Sequence, residues 1–184
     1  MTPASQACPD PAADRRLVAW QLGREPRGVW SVATRCRWGR AAVIEVAPRL
    51  ADGAPFPTTF WLTCPYLARL VADRESSGAM ARENARARAD GDLASRMMAA
   101  DVRYRSRRAG LAGGSDPCAG VGTAGQEDPL AVKCLHARVA AHLAGTGDPV
   151  GESTIEALRA ERRDTECDDD RCEAATEGPG EPIG

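Results

Sequence analysis

The spacing of apolar positions changes character along the chain. From Ala12 to Leu22, Leu17, Val18, Trp20 and Leu22 sit among arginines at helical spacing until Gly23 and Pro26 stop the run, which predicts a short first helix. Residues 28–35 and 41–47 are instead dense in β-branched and aromatic side chains, and predict two strands. Cys36-Arg-Trp-Gly39-Arg40 joins them as a hairpin turn in which Gly39 is free to take a positive φ. Pro48 closes the second strand, Asp52 to Pro57 turns, and Thr58 to Thr63 predicts a third strand. Cys64-Pro65 follows; proline lacks a ladder donor but suits the first turn of a helix, so Cys64 falls at a strand-to-helix junction.

After Pro65 the pattern is helical as far as Arg108, with breaks at Gly78 and Gly91 that predict two or three helices. The many arginines there (Arg82, Arg86, Arg88, Arg96, Arg103, Arg105, Arg107, Arg108) read as a solvated face, and Met97-Met98 as core filling. Gly110 to Gly125 is a long loop with a literal Gly-x-Gly-x-x-Gly at Gly120, Gly122 and Gly125. A dinucleotide fingerprint also needs a preceding strand and a helix opening inside the motif, and neither is readable. What remains is a glycine loop that, with Lys133 nearby, holds an anion on backbone amides. The next helix is expected to start at Pro129, capped by Asp128, and to run to about Ala144 on a buried stripe of Val132, Leu135, Val139 and Leu143. Asp148 to Gly151 then turns, and Ser153 caps a last helix through Ile155 and Leu158. The expected fold is α+β: a small three-stranded antiparallel sheet packed against four or five helices in one domain over residues 12–163. Residues 1–11 and the acidic end, 164–184, are expected to be disordered.

Composition narrows the function classes. A chain of 184 residues suits one core, and a formal charge of −2 exerts no overall pull on nucleic acid. All but one of the 24 basic residues are arginine in an alanine-rich chain, which is read as coding bias. No apolar run approaches the ~20 residues that cross a bilayer. The N-terminus lacks the pattern of a secretory signal, so a cytoplasmic location is expected. Seven cysteines in a reducing compartment favour metal binding, catalysis or burial over disulfides.

The candidate chemistry gathers in Ala131 to His142, which carries both histidines and the one lysine, Lys133. Thiolate and imidazole suit zinc or an iron–sulfur cluster. Cys36, Cys64, Cys134 and His136 make a Cys₃His metal set from three distant segments, with no Cys-x-x-Cys pair in the chain. At ~100° per residue, Cys134 and His136 in a regular helix point about 160° apart. Both reach one ion only where the helix starts later or its first turn is distorted. Two other accounts stay open. In one, the three cysteines are small buried side chains and His136 or His142 is a satisfied histidine. In the other, Cys134 is a catalytic thiol near a helix N-terminus and Lys133, with a histidine, His136, as base; Cys118 in the glycine loop is a further candidate for that thiol. Cys167 and Cys172, without apolar neighbours, look incidental.

Several short stretches together resemble one bacterial family, common in actinobacteria and known as domain of unknown function 501. They are Gln21 to Gly28, Arg35-Cys36, Ala47-Pro48, Asp52 to Thr58, Phe60 to Pro65, Val132 to Ala137, and Asp148 to Gly151. The resemblance spans roughly residues 15–160. It implies that Cys36, Cys64, Lys133, Cys134 and His136 are signature positions, whereas Cys8, Cys118, Cys167 and Cys172 are not. The genes of this family often adjoin those of a septum-formation initiator and an exopolyphosphatase. The resemblance therefore implies a cytoplasmic setting, with a protein partner in polyphosphate metabolism or cell division as an alternative to chemistry of its own.

Overall fold

The structure, a computed structural model, describes residues 10–161 and 163–177. Cys8 and the remaining terminal residues, 1–9 and 178–184, lie outside the described residues. Helix α1 (Pro11–Leu22) opens on Asp10, whose carboxylate accepts from the Ala12 N–H at 2.9 Å, and ends at Gly23 with φ 67°. Strands β1 (Trp30–Arg35), β2 (Ala41–Val46) and β3 (Phe60–Leu62) form one antiparallel sheet in that order. Between β1 and β2 the Cys36 N–H donates to the Arg40 carbonyl and Gly39 takes φ 75°, the hairpin turn expected from the sequence.

Every residue of β2 is buried, so its two faces define two layers. Ile44 and Val46 pack with Leu17 and Val18 of α1, and Val43 packs with Phe60, Tyr104, Ala140 and Ala141. Tyr104 belongs to α4 (Gly91–Leu111), which follows α2 (Pro65–Ser76) and α3 (Ala79–Ala89); Gly78, at φ 80°, separates the first two. Asp90 makes the second break, its carboxylate accepting from the N–H groups of Asp92 and Leu93. Helices α5 (Leu135–Ala141) and α6 (Pro149–Ala160) complete the body, with Leu67, Leu70, Met97, Leu135, Val139 and Leu158 in its largest core cluster. The fold is α+β, as the pattern predicts.

Several local expectations are corrected. Met97 is fully buried, whereas Met98 is 47% exposed, so only one of the pair fills the core. Arg108 leaves the solvated face altogether: it is fully buried, and its guanidinium bonds Asp116 at 2.7 Å and the carbonyls of Pro57, Cys118 and Val121. It thereby pins the long glycine loop to α4. Cys118 is 8% exposed, and burial raises its pKa, the reverse of an activated thiol. Within the same loop the Gly122 N–H donates to the Gln126 carbonyl, and the Thr123 N–H to the buried carboxylate of Asp101. Those amides are therefore not available to an anion.

Helix α5 begins at Leu135, six residues after Pro129. Side chains already hold the intervening backbone: Arg138 donates to the carbonyls of Pro129 and Ala131, and Asn84 exchanges two hydrogen bonds with Val132. Its continuation, His142–Thr146, is a wider π turn that ends through Gly145 at φ 87°. Helix α6 starts at Pro149 rather than at Ser153, since Asp148 accepts from the N–H groups of Val150 and Gly151 at 3.0 Å. The segment from Asp164 to Glu177, part of the end expected to be disordered, packs as a strap against the hairpin. Arg37 pairs with Asp164 and Glu166, Arg40 pairs with Asp170, and the Trp38 indole donates to the Cys167 carbonyl. Cys167 and Cys172 are each 5% exposed and so far from incidental, and the strap ends in a short α7 (Ala174–Glu177).

Candidate functional site

The late start of α5 decides what Cys134 and His136 can do together. Cys134 is the residue before the helix, in extended backbone (φ −152°, ψ 120°), while His136 lies in the first turn. The angular objection to a shared ion holds only when both residues are helical, and here they are not. Their side chains meet a third group that sequence reasoning missed, Glu75. One ligand atom from each of Glu75, Cys134 and His136 lies within 4.8 Å of the others.

Glu75 is in the last turn of α2, where a carboxylate is opposed by the negative end of the helix dipole. Its stabilisation comes from α5: Oε1 accepts from the Leu135 N–H at 2.5 Å, satisfying one of the unpaired donors at that helix start. The same oxygen stands 3.3 Å from His136 Nδ1. On its other side the imidazole meets the Ala68 carbonyl, 2.9 Å from Nε2. A carbonyl only accepts, so Nε2 carries a proton, and in the neutral ring the lone pair is then on Nδ1, facing Glu75 and Cys134. A metal-ligating histidine shows this arrangement: one nitrogen donates to a backbone carbonyl and the other points at the ion.

Without an ion, a second proton fits the same place. The hydrogen bond with Cys134 is the largest cause raising His136 to about 9; burial opposes it, and the charge of Glu75 and the Ala68 carbonyl add to it. Metal and proton compete for one lone pair. Cys134 and His136 are half-buried, so the group is open to solvent on one side. Behind it, Arg138 of α5 is 1% exposed and bonds Asp148 at 3.0 Å, tying α5 to the cap of α6.

The other predicted ligands go elsewhere. Cys36 and Cys64 line a separate pocket with Cys167, so the four atoms of the Cys₃His set do not assemble as one group. Cys64 does stand at the strand-to-helix junction, as the N-cap of α2. Lys133 is exposed. His142, on the π turn, has a buried Nδ1 with no hydrogen-bond partner among the described residues. An acid in the last helical turn, where a base is the norm, was the only trace of Glu75 in the sequence.

Fold and site together define an α+β protein with a Glu/Cys/His cluster at a helix N-terminus. Residues 32–156 match the family model described as "Protein of unknown function (DUF501)", and the chain belongs to that family. No curated protein and no solved structure matches it. Among the described residues, no helix is long and apolar enough to cross a membrane.

Proposed function

We propose that the protein binds a zinc-class divalent cation through Glu75, Cys134 and His136. The observation that carries the reading is the orientation of His136: Nε2 is held by the Ala68 carbonyl, which leaves Nδ1 to the carboxylate and the thiol. Sulfur, nitrogen and oxygen donors in one set suit zinc better than the hard cations, which prefer oxygen alone. Three protein ligands leave a fourth position for water or a substrate, the composition of a catalytic rather than a closed structural site. An iron–sulfur cluster is disfavoured at this place, because it takes thiolates and only Cys134 supplies one.

A second reading uses the same atoms. Cys134 lies in side-chain hydrogen-bond contact with His136, the contact by which a histidine serves as base to a nucleophilic thiol, which would make Cys134 a nucleophile. Titration of the full, metal-stripped chain with Co²⁺ separates the two. The zinc reading expects one equivalent of cobalt, with its own thiolate-to-cobalt absorption band, to be lost in Cys134→Ser and to bind at least tenfold more weakly in Glu75→Gln. It is lost if both variants bind cobalt as the wild type does. Alkylation of Cys134 much faster than of an ordinary thiol, and slowed in His136→Ala, would instead support the nucleophile.

A further inference from the structure

The other described cysteines of the core include four that the fold brings to one seam. Cys36 leaves β1 at the hairpin turn, Cys64 caps α2, and Cys167 and Cys172 come from the strap. Cys36, Cys64 and Cys167 line a pocket of about 280 Å³, together with Arg35 and Arg159. Cys172 sits in the layer over the sheet, where its sulfur accepts a weak hydrogen bond from Gln21 at 3.7 Å. All six pairs among the four are close enough for charge on one sulfur to oppose ionisation of the other.

Two features distinguish this group, three buried thiols and the half-buried Cys36, from thiols placed for packing alone. From Asp164 to Glu173, Cys167 and Cys172 are the only buried residues of an acidic segment without helix or strand. Two thiols give such a segment little hydrophobic reason to dock, whereas Cys-x₄-Cys lies within the range of ligand-pair spacings. Secondly, three of the four residues, Cys36, Cys64 and Cys167, line one space, and Cys172 lies beside it near Ala41, the carbonyl of which holds the same Gln21 amide that reaches its sulfur. No three of them come within 4.8 Å of one another, while four thiolates on a single zinc, each ~2.3 Å from it, stand only about 3.8 Å apart. Wider spacing around a void suits a polynuclear centre, whose thiolates bind different irons.

We infer that Cys36, Cys64, Cys167 and Cys172 hold an iron–sulfur cluster at the seam between the hairpin and the strap. Arg35, which also pairs with Asp14, and Arg159 line the pocket, and Arg171 favours the Cys167 thiolate, so cationic side chains stand beside the negative charge that the thiolates bring. Glu166 also lines the pocket, but its carboxylate is turned to the backbone N–H and guanidinium of Arg37, at 2.7 and 2.9 Å. Each thiol gives up its proton as the cluster binds. None of the four belongs to the Glu75 group, so the two sites stand or fall separately.

The test is iron and acid-labile sulfide analysis of the full chain, produced with iron and cysteine in the medium and purified without oxygen. The wild type should be brown, with iron and sulfide in equal amounts. Cys134→Ser should keep both, and Cys167→Ser/Cys172→Ser should lose at least nine-tenths of both. Circular dichroism on the double variant, with chemical reconstitution of the wild type and of Cys36→Ser beside it, separates loss of ligands from loss of fold. A wild type that carries neither iron nor sulfide and takes up none on reconstitution overturns the inference. So does one mole of zinc bound to these cysteines in place of iron, or a double variant that retains the cluster.

Discussion

The two sulfur-bearing regions are held in place by opposite means. Behind Cys134 and His136 stands a fully desolvated pair, Arg138 with Asp148, each side chain 1% exposed, and the same arginine fixes the carbonyls of Pro129 and Ala131. Beside Cys167 the pairs lie nearer solvent: Arg37 with Asp164 and Glu166 is exposed, and Arg40 with Asp170 is only half-buried. Removing one partner of a buried pair leaves an uncompensated charge and costs about 3–5 kcal/mol, while exposed pairs are worth about 0.2–1 kcal/mol and weaken with salt. The Glu75 group is therefore built into the body of the fold, whereas the seam depends on a segment held by ties at or near the surface and by whatever its thiols bind.

The largest test of that contrast is Arg138→Met, which strands the Asp148 carboxylate in the core. Urea unfolding should show a loss of about 3–5 kcal/mol. A loss below 1 kcal/mol would mean that the pair does not organise this region. Next comes Gly151→Ala, since a Cβ there would lie 2.3 Å from the Arg138 carbonyl oxygen and 2.6 Å from His142 Cβ. Forcing α6 from α5 should cost about 1–3 kcal/mol, and it should lower cobalt affinity without touching a ligand. Unchanged affinity at reduced stability would uncouple the site from this packing. Glu75→Ala should cost about 0.5–2 kcal/mol by leaving the Leu135 N–H without its acceptor, a penalty that Glu75→Gln should largely avoid. The smallest effect belongs to Arg37→Ala, at about 0.2–1 kcal/mol. Its signature is faster alkylation of Cys167 and Cys172, mimicked by 1 M salt in the wild type, with Cys118 unaffected. Equal rates in all three samples would show the strap to be as firmly held as the core.

Local signals in the sequence carried the sheet, the hairpin turn at Gly39, the breaks near Gly78 and Gly91, and the junction at Cys64, because turn chemistry and periodicity act over a few residues. They misplaced the starts of α5 and α6. Asp128-Pro129 and Asp148-Pro149 carry the same cap-and-proline signal, yet only the second opens a helix, since Arg138 takes the carbonyls that the first would have used. Cys134 and His136 were legible as a pair, but Glu75 comes from 59 residues earlier in the chain and no spacing announces it. The strap was hidden for a related reason. Its acids satisfy arginines of the hairpin, more than 120 residues away, so a composition typical of disorder belongs to a docked segment.

The layer over the Ile44 face has a practical consequence. It is made by α1 and the end of the strap, which flank the family-matched span of residues 32–156 on either side. A recombinant fragment trimmed to that span would leave Ile44, Val46 and Trp61 bare on a sheet with its first strand cut short. Such fragments should come out sticky and self-associating, and their behaviour would say little about the intact chain.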